Sequence, residues 1–160
     1  MSMIANYLAV SAQELQALVA DPSRVEAVLF EEREEDIVDL DKAWQGLHFT
    51  LTGSLAESDA PLAQAIMGGA PLGEDDYGYG PPRYLTPDQV ARTAHALDAY
   101  NEQSFRESVD LAALAANHVY PEIWQEGDTA TDYLVEYFET LKYLFRDARR
   151  EGQGLILYLA

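Results

Sequence analysis

The chain has 160 residues, of which 48% are hydrophobic, enough for one globular domain that buries most of its unfolded surface without staples. It has no cysteine, which excludes disulfides, thiolate metal sites and a cysteine nucleophile. Its 28 acidic and 10 basic residues leave a formal net charge of -18, a field that repels nucleic-acid phosphates and anionic lipid surfaces and that either simply maintains solubility or favours encounter with a basic protein partner.

Residues 1–10 lack the basic region and small-residue cleavage site of a leader, and no apolar run approaches the ~20 residues that span a bilayer. A soluble, cytoplasmic protein is expected. The same segment carries Ile4, Tyr7, Leu8 and Val10 in loose alternation, which predicts a strand. Ser11 and Glu14 have the spacing of a capping box, predicting a short helix through Leu15, Leu18 and Val19 that stops near Asp21 and Pro22. Pro22 then opens a second short helix with Val25, Val28 and Leu29. Residues 31–36 are five acids around Arg33, read as a solvated helix end or loop; the run lacks the alternating ligands and turn glycine of a calcium loop.

Leu40, Trp44, Leu47 and Leu51 fall at i, i+4, i+7 and i+11, predicting a helix over 41–52 with His48 at the edge of its apolar face and Gly53 as its stop. Another short helix is expected from Pro61 to Met67, ending at Gly68 and Gly69. The loop GEDDYGYGPPRY follows, and Thr86, Pro87, Asp88 and Gln89 then give a complete helix start. Val90, Ala94 and Leu97 face inward on that helix, and Asp88 and Arg92 form an outward i, i+4 pair. One further helix is expected over 102–117, ending before Pro121. Leu134, Phe138, Leu141, Phe145 and Ala148 mark a long helix from a cap at Thr131 to Gly152, acidic in its first half and basic in its second, as the helix dipole favours. Gly154 to Leu159 read as an apolar strand that pairs with the first one. The fold class is therefore α+β: a small central sheet including the N- and C-terminal strands, packed with several helices, in a single domain over 1–160.

Chemistry is sparsely signalled. His48, His95 and His118 show no metal-binding spacing, and His48 with Trp44 one turn away reads either as a hydrogen-bonded core pair or as a general base. No nucleophile elbow or phosphate loop is present: Gly78-Tyr79-Gly80 is followed by Pro81 and Pro82, which lack the N–H groups a phosphate needs. No cofactor is expected. The loop itself offers Tyr77, Tyr79 and Tyr84 around Arg83 on a backbone shaped by Gly78, Gly80 and two prolines, the composition of an interaction hot spot. Its alternative is a stiff connector whose tyrosines pack inward while Arg83 neutralises Asp75 or Asp76.

The block D-K-x-W-x-x-L-H-F-x-L-T-G from Asp41 to Gly53, with Pro61-Leu62 to Gly69, the Asp76 to Tyr84 loop, Tyr120-Pro-Glu-Ile-Trp124 and the terminal Leu-Ile-Leu-Tyr, resembles the YfbM-like family of domains of unknown function over nearly the whole chain. The resemblance implies a compact bacterial α+β domain with no established activity or cofactor. It also implies an immunity-type role toward a toxin, to which an acidic surface would be suited. Members often begin Met-Gly-Met, whereas this chain has Ser2.

Two functions are carried forward. In the first, a non-enzymatic interaction domain binds a basic protein through an acidic surface steered by residues 31–36 and through the loop, with Arg83 as polar anchor and Tyr77, Tyr79 and Tyr84 as apolar contact. In the second, Trp44, His48, Asp76, Arg83 and Trp124 converge on one cleft that binds or hydrolyses a small molecule.

Overall fold

The computed structural model describes residues 2–160, so the Met1 end of the first predicted strand lies outside the described residues. The chain ends meet in the middle of a sheet. β1 (Ala5–Val10) and β5 (Gly154–Leu159) are antiparallel, with Tyr7 opposite Leu157 and Val10 opposite Gly154. Reciprocal main-chain bonds between Ile4 and Ala160, at 2.9 and 3.0 Å, extend the pairing. Three short strands that carry no sequence signal of their own complete the sheet: β2 (Val38–Asp39), β3 (Ala70–Pro71) and β4 (Arg83–Leu85). The order is β2-β1-β5-β4-β3, with every pairing antiparallel.

Side chains alternate across a strand, so paired residues share a face. Tyr7, Leu157 and Arg83 form one row, and Leu8, Ile156 and Tyr84 form a row on the other side. The Tyr7 face is covered by α3 (Trp44–Thr52), α4 (Pro61–Met67), α5 (Pro87–Leu97) and α8 (Asp128–Arg150), with Leu47, Leu97, Phe138 and Phe145 fully buried between them. The Leu8 face carries a thinner layer: α1 (Ala12–Ala20) and α2 (Val25–Ala27), the latter running into a wide π turn over Val28–Glu32. Helix α6 (Glu102–Ser108) packs on α8, where Phe105 stacks on Phe138 with centroids 4.1 Å apart, and α7 (Leu111–Ala116) packs against the short helical turn at Trp124–Glu126.

Several local expectations change. Ser11 caps α1 by accepting from the Glu14 N–H, but the Glu14 carboxylate does not return to close the box. It accepts from Arg33 Nη1 at 2.7 and 2.9 Å instead, a contact between two full charges where the cap offers the carboxylate only an uncharged N–H. Arg33 also holds Asp36 at 2.7 Å and donates to the Ala9 carbonyl at 3.3 Å, covering the part of β1 that lacks a β2 partner. The acidic run is thus anchored by its one cation. The helix predicted over 102–117 is two helices, since the Asp110 side chain caps Ala113 and starts a new one. Thr131 is not a cap: α8 begins at Asp128, and Thr131 is buried inside it. Arg92 reaches the Asp88 main-chain carbonyl at 3.5 Å rather than its carboxylate.

Gly46 sets how closely α3 approaches its neighbours. A Cβ there would lie 2.8 Å from the Trp124 ring and 2.9 Å from a Leu134 methyl, both side chains being buried. On an exposed helix, glycine to alanine gains about 1 kcal/mol. Here overpacking, typically costing ~1–3 kcal/mol, reverses the sign. Gly46→Ala is therefore expected to lower the urea midpoint; a raised midpoint would show that this contact relaxes freely.

Candidate functional site

The 73–82 loop connects the two strands of a hairpin, with its neck closed by the Leu72 N–H donating to the Pro82 carbonyl at 2.7 Å. Asp76 folds the loop on itself, its carboxylate accepting from the Gly78 N–H at 2.6 Å and the Gly80 N–H at 3.1 Å. Gly78 and Gly80 have φ of 118° and 95°, angles that L residues rarely adopt. The backbone shape predicted for this stretch is present, and Asp76 is spent on it.

The tyrosines diverge. Tyr77 turns to the Leu8 face and packs edge-on against Phe30, with centroids 5.2 Å apart, and against Tyr158 at 6.4 Å. Phe30 meets Tyr158 at 5.6 Å and remains 39% exposed. Burial, then the charges of Glu26 and Asp75, push the Tyr77 hydroxyl above its ordinary pKa; burial, then Glu34 and Tyr77, do the same at Tyr158. Carboxylates therefore rim this aromatic cluster, and the acidic run starts at the residue after Phe30. Tyr84, half-buried, lies against the same layer.

Arg83, one residue earlier in the strand, points the opposite way, because consecutive strand residues face opposite sides. It does not neutralise Asp75 or Asp76. Its Nη2 donates to Glu57 Oε1 at 2.9 Å and its Nη1 to the Met67 carbonyl at 3.1 Å. The pair borders a cleft of ≈ 200 Å³ whose walls include Tyr7, Trp44, Ile66, Tyr79 and Leu157.

Of the five residues expected to converge, Trp44 and Arg83 line this cleft. Trp44 is anchored from behind, its indole N–H donating to the Met3 carbonyl at 2.9 Å. Trp124 lies in the core on the far side of Gly46 and donates to the Val119 carbonyl at 2.8 Å. Asp76 stays in the loop. His48 is fully buried rather than at the edge of its helical face, and its Nε2–H donates to the Ala56 carbonyl at 2.9 Å. The residues missed from the sequence are Glu57 and Phe30, which stand in no motif, and Tyr158, which was read only as part of the terminal Leu-Ile-Leu-Tyr strand; all three reach the loop only through folding. Among the described residues, no group of three or more His, Cys, Asp or Glu is placed to hold a metal ion, and no helix is long and apolar enough to cross a membrane.

Desolvation lowers the His48 pKa, outweighing the Ala56 bond and the nearby Glu57 charge, which raise it. The unfolded chain then binds a proton that the folded chain refuses, so stability is complete above the unfolded value of ~6.5 and declines as pH falls below it. Denaturation between about pH 6.5 and pH 5 should show this slope, and His48→Gln should flatten it while lowering stability throughout. An undiminished slope in the variant would remove His48 as its source.

Comparison with known proteins agrees with the architecture. A family model described as a domain of unknown function, DUF1877, matches residues 1–158. The fold is similar to that of a solved structure titled as a protein of unknown function, YfbM from Escherichia coli, at a TM-score of 0.73 and 20% identity over 98% of this chain and 99% of that one. No curated protein matches the chain. With its helices packed around a sheet that joins both chain ends, and with the family model spanning all but its last residues, the chain belongs to the YfbM-like DUF1877 family.

Proposed function

We propose that this protein is a non-enzymatic interaction domain that binds a basic protein partner where the acidic run and the tyrosine loop meet. The observation that carries the proposal is the 5.2 Å contact between Phe30 and Tyr77, which joins segments over forty residues apart into one surface. An exposed aromatic ring set among carboxylates suits an arginine or lysine side chain, whose cation gains from the ring face and from the surrounding charge. The net charge of -18 steers such a partner over long range and makes association sensitive to salt. A toxin with a basic surface is the kind of partner that an immunity-type role would supply. Asp76 and the neck bond preorganise the loop, so little ordering cost falls on binding.

Affinity capture from a native lysate, run at low and moderate salt with wild-type and Phe30→Ala baits, tests this. A basic protein retained by wild type, released by salt and weakened at least about tenfold by the substitution is expected, corresponding to ~1.4 kcal/mol. Equal retention by both baits would place the partner elsewhere on the molecule.

A further inference from the structure

The cleft beside Arg83 differs from the Phe30 surface in shape and in charge. At ≈ 200 Å³ it is smaller than the ~300–1,000 Å³ of pockets for drug-sized ligands, so its occupant is of single-residue size. Its walls are largely apolar and aromatic, with Trp44 and Tyr79 among them. At its lip the Arg83–Glu57 pair places opposite charges 2.9 Å apart, with side chains 36% and 52% exposed. Glu57 uses Oε1 for this contact, leaving Oε2 for another donor, and Arg83 keeps N–H groups beyond the two given to Glu57 and Met67. The lip is held in place on both sides. Arg83 lies in a paired strand, and Glu57 follows Ala56, whose carbonyl is fixed by His48 and whose N–H donates to Ser54 Oγ at 2.9 Å.

We propose that this cleft binds a free α-amino acid with a bulky apolar side chain, the carboxylate on Arg83, the ammonium on Glu57 and the side chain against Trp44 and Tyr79. The head group of an amino acid carries adjacent opposite charges, and set head to tail against the Arg83–Glu57 pair each ligand charge meets its opposite. The arrangement explains why a cation–anion pair borders an apolar hollow. It also suits the protein's field, since a zwitterion has no net charge for an acidic protein to repel. The cleft shares the buried Tyr158 with the aromatic cluster but neither Phe30 nor Tyr77, and its charged lip is separate, so loss of one binding activity does not entail loss of the other.

Isothermal titration calorimetry with L-phenylalanine and L-leucine, against N-acetylphenylalanine, phenylalanine amide and glycine, decides the matter. Saturable binding of the two apolar amino acids is expected, weakened at least about tenfold when either terminal charge is blocked or the side chain is absent. Arg83→Gln and Glu57→Gln should each weaken it to a similar degree, while Tyr143→Ala, at an exposed position of α8 away from the cleft, leaves it unchanged. Should Arg83→Gln lower the melting temperature enough to obscure its titration, the more exposed Glu57→Gln carries the test. No saturable binding, wild-type affinity in a folded Glu57→Gln, or equal affinity for N-acetylphenylalanine, which would indicate a peptide C-terminus as ligand, each overturns the proposal.

Discussion

The pairing of β1 with β5 organises the molecule. It brings together segments at opposite ends of the chain, and the cost of closing so long a loop grows only as the logarithm of its length, about 0.6 kcal/mol per doubling. Once formed, the pair presents two apolar faces. Tyr7, Leu155 and Leu157 point one way and Leu8, Val10 and Ile156 the other, so helices must cover both. The short strands gain their place by adding to this ladder: Arg83 to Leu85 pair with Leu157 to Leu155, and Val38 and Asp39 pair with Tyr7 and Asn6.

The most specific block of the sequence, from Asp41 to Gly53, acts as a set of buried anchors around this core. Tyr133 on α8 donates to the Asp41 carboxylate at 2.9 Å and accepts from the Lys42 N–H at 3.0 Å. Trp44 holds the N-terminal segment, Gly46 admits the Trp124 ring, and His48 fixes the 53–60 loop through Ala56. These bonds tie each residue to its place, although His48 Nδ1 and Thr50 Oγ1 of the same block are buried without a hydrogen-bond partner. Trp44 and Gln45, which accepts from the Tyr120 N–H at 2.7 Å, also line the cleft, so they link the structural block to it.

The loop shows how one stretch can serve two surfaces. Tyr77 and Tyr79 are separated by Gly78, whose positive φ turns the chain, and they end up in the aromatic cluster and the cleft wall respectively. Arg83 and Tyr84 separate for a simpler reason, the two-residue period of a strand. The sequence grouped these four side chains because they are neighbours in the chain. The fold divides them and adds Phe30 on one side and Glu57 and Trp44 on the other, with Tyr158 bordering both.

Periodicity and caps were enough to place the long helices, the terminal strands and the α+β class, because a spacing of three to four residues or a Thr-Pro-Asp-Gln start is a local signal with a local cause. The Thr86 capping box and the left-handed Gly53 terminus formed as their residues required. Glu14 did not follow its local pattern, because Arg33 competes for it across 19 positions. The two-residue strands, the burial of His48, and the meetings of Arg83 with Glu57 and of Phe30 with Tyr77 were decided by tertiary structure alone. They arise from pairing and packing between distant segments, and no local preference encodes which distant segment arrives.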